Sequence, residues 1–144
     1  PRLNWFCGRW MRHSGMYPDY QTRLLQKHKV KWTSAQVHEK VVAKNSKTLS
    51  QPILHWSFRN ISHQVETINR YSTLRAQEFF KKNKTSGPLK IFLKTFSKFF
   101  EIYFLKRGFL DGVQGLMVSI TGAFATYLRW AKLYELRMAK KHDQ

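Results

Sequence analysis

The chain has 144 residues, enough for one domain with its own core and too few to expect two. Lys and Arg number 26 against 8 Asp and Glu, a formal net charge of +18 that repels itself unless a polyanion is near, so nucleic acid, an anionic membrane surface and phosphorylated substrates are the partners to weigh. Aromatics at 15%, eleven of them Phe, argue against a disordered basic tail, and the single Cys7 excludes an internal disulfide and suits a reducing compartment.

The first residues, PRLNWFCGRW, hold neither an initiator Met nor a uniform apolar core. They predict no signal peptide and read as a piece of a longer chain. Leu3, Phe6 and Trp10 against Arg2, Arg9, Arg12 and His13 predict a short amphipathic helix over residues 1–16, broken at Gly8 and ended by Ser14 and Gly15. Tyr17 and Pro18 then open a strand on which Asp19, Gln21 and Arg23 share a polar face, with Tyr20, Thr22 and Leu24 packing inward. After a basic turn at Lys27–Lys29, Val30 to Val37 reads as a second strand, ending at the adjacent pair His38 and Glu39. An imidazole beside a carboxylate at a strand end is a common place for chemistry.

Lys40 to Ser50 suits a loop or short hairpin, and QPILHWSFR restores a strand alternation behind Pro52, with His55 read as a hydrogen-bonded structural histidine. From Ser62 the period changes: Val65, Ile68, Tyr71, Leu74 and Phe79 predict a helix to about Lys82, capped by Asn60 or Ser62. KKNKTSGP breaks the chain. A Phe-rich stripe follows, Leu89 to Phe104, edged by Lys90, Lys94, Lys98, Lys106 and Arg107, which fits both a core-packed helix and one lying in a membrane interface. FLDGVQG is a turn carrying Asp111 between glycines. The uncharged run Gly112 to Leu128 is 17 residues and polar at intervals, so it reads as buried or interfacial, short of a spanning helix of ~20 residues. There is no zinc spacing, phosphate-cradling Gly loop or GxSxG elbow.

Taken in order, GRWMRHSGMYPDYQTRLL, VHEKV, PILHWSFR, INRYSTLRAQE, IYFLKRGFLDGVQGL and YLRWAKLYELR resemble the C-terminal half of bacterial family 2 glycosyltransferases, above all those of lipopolysaccharide core or surface-glycan synthesis. The resemblance implies an α/β (α+β) fold: part of a GT-A domain with a few N-terminal strands over residues 1–60 (acceptor side), then a mainly helical, membrane-associating extension over 61–144. The nucleotide-sugar site would lie upstream of Pro1, and no Asp-x-Asp occurs here, so the chain alone is expected to be inactive.

Inverting transfer needs a carboxylate that takes the proton of the acceptor hydroxyl and cations that stabilise the departing nucleoside diphosphate. By resemblance Asp19 and Glu39 compete for the first role. His38 is the candidate ligand to a divalent metal, Mg or Mn, held mostly by the missing half. Arg12 and Arg23 are candidates for phosphate oxygens, Gln21 for the same polar face, and Trp32 for stacking on a sugar ring. The competing reading pairs Asp19 with Arg23 across one strand face. The implied partners are a nucleotide-sugar donor, a glycolipid acceptor and the anionic inner face of a bacterial cytoplasmic membrane, to which each nearby Lys or Arg contributes about 1 kcal/mol. The alternatives are a basic nucleic-acid-binding module and a non-catalytic peripheral membrane protein. Against the first stands a positive charge spread over every segment; the second leaves the polar face of residues 19–23 and the His38 and Glu39 pair unexplained.

Overall fold

The computed structural model describes residues 1–24, 31–32, 41–42 and 47–142. Strand β1 (Arg2–Phe6) and strand β2 (Arg9–Met11) form an antiparallel hairpin, and β5 (Ile53–Trp56) pairs parallel to β1, giving the order β2-β1-β5. The expected helix over residues 1–16 is therefore a hairpin. The reason is local: Cys7 (φ +43°) and Gly8 (φ +84°) both take left-handed backbone, the two-residue turn whose twist matches paired strands. Leu3, Phe6 and Trp10 satisfy a helical spacing by coincidence, while Trp5, Phe6 and Trp10 favour extended chain.

The segment from Tyr17 touches the sheet through one bridge, Arg2 to Asp19, with Arg2 N donating to the Asp19 carbonyl at 2.8 Å. The predicted strand does not continue. Tyr20 and Leu24 are 62% and 82% exposed and Thr22 is exposed, so the face expected to pack inward meets no described element. Alternation makes a strand only where a neighbour takes the backbone N–H and C=O groups. Farther on, β3 (Lys31–Trp32) pairs with β4 (Val41–Val42) in a two-stranded ladder, so the second predicted strand is met at its start; its remainder lies outside the described residues.

Helix α1 (Ile61–Lys81) is capped by Asn60, whose side chain accepts from His63 N at 2.8 Å. Helix α2 (Pro88–Phe100) begins with Pro at its first position and runs into a single wide turn, Glu101–Leu105, where Lys106 N donates to Glu101 O at 2.8 Å. A short 3-10 turn at Gly108–Asp111 leads into α3 (Gly112–His142).

Helix α3 is the spine. Its first half packs with Phe6, Met11 and Ile102 around Val118, so the sheet and the wide turn share one core with it. Its second half, through Trp130 and Leu133, takes Ala76 of α1, with Phe79, Phe80, Ile91 and Leu136 around them. Helix α1 buries Gln64, Ser72 and Ala76, while Val65, Tyr71 and Leu74 of its predicted apolar face stand about two-fifths exposed (41%, 40% and 38%). Small residues let α1 come close to α3, and Lys132 Nζ then reaches Asn69 Oδ1 (2.6 Å), Ser72 Oγ (3.0 Å) and Thr73 Oγ1 (2.8 Å) across the contact. No described helix is long and apolar enough to cross a membrane.

Candidate functional site

The strand geometry of β1 places Arg2 and Asn4 on one face of the sheet, and the parallel register sets Asn4 beside His55. Arg2 reaches Asp19 with two donors, Nε at 2.8 Å and the guanidinium NH2, both to Oδ2. Gln21 Nε2 donates to the other oxygen, Oδ1, at 2.8 Å. Burial pushes the Asp19 carboxyl up, but the bonds from Gln21 and Arg2, with the Arg2 charge, outweigh it and hold the group below the ordinary carboxylate value.

Asn4, 4% exposed and two residues along β1 from Arg2, organises a second group. Its Nδ2 donates to the Met16 carbonyl at 2.5 Å, which leaves Oδ1 to accept from His55 Nδ1 and Ser57 Oγ, both at 2.9 Å. The imidazole proton is thereby placed on Nδ1. No hydrogen bond to Nε2 occurs among the described residues. Burial, then the charges of Arg2 and Arg23, lower the His55 pKa against the opposing pull of Asp19. The shift favours the uncharged ring, whose lone pair is then on Nε2. His55 is hydrogen-bonded, as its place in the alternation predicts.

The structure thus gathers Asp19 and Gln21 in contact, and brings Arg23, exposed, near enough for its charge to act on His55. The competing reading, a pair of Asp19 with Arg23, does not form: Arg2 takes the carboxylate instead. Arg12 is not in this group: its side chain is exposed, and its backbone N donates to Asp111 Oδ1 at 3.3 Å. Trp32 is described only as backbone in β3, and His38 and Glu39 lie outside the described residues.

Asp111 forms a second polar centre, wholly buried. Its Oδ2 accepts from His13 N and Ser14 Oγ, each at 2.9 Å, and its Oδ1 from Arg12 N and His13 Nδ1, each at 3.3 Å. Arg9 NH1 donates to the Asp111 carbonyl at 3.2 Å, and Gln114 Nε2 to Cys7 O at 3.1 Å. The RHSG segment is in this way clasped to the start of α3, which sets the hairpin and so the position of Arg2 and Asn4. Glycines make the approach possible: a Cβ on Gly115 would fall 1.8 Å from the Gly108 carbonyl oxygen.

Arg2, Asn4 and Asp111 were not legible as site residues. Arg2 and Asn4 show their shared face only once residues 2–6 are extended; the signal for Asp111 was a lone carboxylate between glycines in a strongly basic chain. For a divalent metal the described residues do not supply a donor set. Both Asp19 oxygens are already taken and a guanidinium lies against them, and no cluster of three His, Cys, Asp or Glu forms among the described residues. No catalytic step is therefore routed through a metal on these groups.

Similarity to known proteins adds to this geometry. No family model matches the chain, and no solved structure matches it. An uncharacterized glycosyltransferase of Rickettsia bellii is 34% identical over 91 residues, 63% of this chain and 31% of its own length. One from Rickettsia conorii is 32% identical over 94 residues, 65% of this chain and 33% of its own. The lipopolysaccharide core biosynthesis glycosyltransferase LpsC of Rhizobium meliloti is 28% identical over 123 residues, 82% of this chain and 45% of its own. The chain spans about a third of the length of the Rickettsia relatives it matches, and most of it is similar to proteins named glycosyltransferase.

Proposed function

We propose that the chain is the acceptor-side and membrane-docking part of a family 2 glycosyltransferase of GT-A fold. The reaction is inverting transfer of a sugar from a nucleotide-sugar donor to a glycolipid acceptor, lipopolysaccharide core or another surface glycan. Residues 1–60 belong to the catalytic domain and 61–144 are its helical extension. The observation that carries this reading is similarity to named glycosyltransferases over 61% to 82% of the chain, one of them acting in lipopolysaccharide core synthesis.

The polar group on the sheet supports it chemically. A carboxylate held ionised, with both oxygens already accepting hydrogen bonds, is a weak general base. Asp19 therefore orients Arg2 and Gln21 toward an acceptor or a phosphate, and Glu39 is left to take the proton of the attacking hydroxyl. His55, neutral and with Nε2 open, accepts a hydrogen bond from a sugar hydroxyl. Any divalent cation is held by residues outside those described.

The helical extension keeps the site at the cytoplasmic face of the membrane. The outer ridge of α2, Leu89, Phe92, Leu93, Phe96 and Phe100, is between 44% and 71% exposed, and lysines stand along the same helix. Rings at the headgroup boundary with ammonium groups on anionic lipid are how an interfacial helix binds.

Transfer from UDP-, GDP-, ADP- and CMP-sugars to core-truncated lipopolysaccharide, with the full-length protein and Mg²⁺ or Mn²⁺, tests the activity. Label entering the lipid fraction, and lost in Glu39→Gln, is expected; no nucleotide release from any donor overturns the reading. Co-sedimentation with phosphatidylglycerol vesicles at low salt tests the docking, and failure to sediment refutes it.

A further inference from the structure

Helix α2 has no buried residue, yet one of its flanks is concave rather than flat. Between α2 and the middle of α3 runs an open groove of about 460 Å³, lined by Ile91, Phe92, Phe96 and Phe99 on one wall and by Ala123 and Tyr127 on the other. The polar atom on the α2 wall is already satisfied: Thr95 Oγ1 donates to Ile91 O at 2.8 Å. Apart from the Tyr127 hydroxyl the rest of the lining is carbon, a surface suited to hydrocarbon.

Its length and surroundings narrow the occupant. From Pro88 to Phe99 the groove follows α2 for about 16 Å at 1.5 Å per residue. One leaflet of a bilayer, half of a ~30 Å hydrocarbon core, is ~15 Å deep, the reach of one extended acyl chain. Around it the segment from Lys90 to Arg107 carries five cationic side chains against the one carboxylate of Glu101. Lys98 and Lys106 share that carboxylate, and Lys94 stays exposed, so the local field favours an anionic headgroup.

We propose that the groove between α2 and α3 is a binding site for one acyl chain of an anionic phospholipid, with the headgroup held at the lysines of α2. The site deepens the docking reading above and rests on it: the Phe ridge enters the interface, and a single lipid tail turns up alongside Phe96 and Phe99 instead of lying beneath the helix. The α2 to α3 contact is completed by lipid, which gives the membrane a direct hold on the spine helix.

Phosphatidylglycerol carrying a photoreactive acyl chain, in phosphatidylcholine vesicles and as the monomeric dioctanoyl form, tests this on the intact protein. Crosslinks concentrated on Phe96, Phe99, Ala123 and Tyr127 are expected, falling about tenfold in the groove-filling Ala123→Phe. Phe96→Ser, at a position 59% exposed, gives the same loss without touching the core and guards against a misfolded Ala123→Phe. Vesicle binding in Ala123→Phe falls by much less than the crosslinking, whereas Phe96→Ser, which also removes a ring of the docking ridge, lowers both. Crosslinks spread evenly over α1 and α3, equal labelling by neutral phosphatidylcholine, or labelling unchanged in both variants overturns the site. So does a concentration-dependent dimer whose dissociation tracks Phe96→Ser, since a second copy then fills the groove. Vesicle binding without groove labelling refutes the site alone, whereas labelling by the monomeric lipid without vesicle binding upholds the site and refutes the docking.

Discussion

Replacing Asp111 by Ala removes one side chain and strands four donors. His13 N, Ser14 Oγ, Arg12 N and His13 Nδ1 all point at a carboxylate with no exposed surface, and Ser14 is itself buried. A buried donor left without a partner costs about 1–3 kcal/mol. The His13 ring and the Arg12 amide sit nearer water and recover part of this, so the loss comes to about 3–5 kcal/mol. That is a large share of the roughly 5–15 kcal/mol that holds a domain together, and it lowers Tm by roughly 10–17 °C. Urea unfolding followed by tryptophan fluorescence measures it: the midpoint falls while the slope stays constant. Ser14→Ala, which removes one of the four bonds, costs about 1 kcal/mol, and Asp111→Asn, which keeps one acceptor oxygen, falls between. If Asp111→Ala unfolds within ~1 kcal/mol of the parent, the clasp between RHSG and the start of α3 is not what holds the hairpin.

Gly115→Ala puts a methyl 1.8 Å from the Gly108 carbonyl oxygen, a backbone atom that cannot swing away, so loss of the folded state at 37 °C is expected by circular dichroism; a normal melting curve refutes the close approach. Leu133→Ala, at a fully buried position against Ala76 and Trp130, opens a cavity and costs about 2–5 kcal/mol by the same urea assay, and a cost under ~1 kcal/mol means α1 and α2 do not share that core. The pH dependence has a definite sign. His55 is held below its ordinary pKa, so the unfolded chain binds the extra proton and stability is lost as pH drops from about 6.5 through the folded value. Asp19 and Glu78 are also lowered, Glu78 to about 2 by hydrogen bonds from Lys82 and Arg75, so their contributions are complete above ordinary carboxylate values and vanish only in strong acid. Urea midpoints at pH 8, 6.5 and 5 in parent and His55→Asn check the first step, and parallel curves count against it.

Several features were readable because they rest on neighbours in the chain. Pro52 before β5, Asn60 before α1, Gly87 and Pro88 before α2, and the two-residue spacing of Asp19 and Gln21 all act within a few residues. The N-terminal hairpin was misread although its information is also local. Leu3, Phe6 and Trp10 fit a helical period, and the left-handed backbone at Cys7 and Gly8 is what tips the segment into strands.

The sequence by itself determined the basic charge, the Phe-rich cationic stretch after Pro88 and the cap that opens α1 at Asn60. Only the tertiary structure decided that Arg2 takes Asp19 from 17 residues away, that Asn4 Oδ1 takes the hydrogen bond of His55 Nδ1 from 51 residues away, and that Asp111 holds His13 across 98 residues. It also decided that α1 buries Ser72 and Ala76 in place of Val65 and Leu74. The physical reason is the same in each case. Periodicity and capping report what a residue does to its own turn or strand, whereas burial and long-range hydrogen bonding depend on which surface arrives opposite, and that is set by the packing of every element on α3.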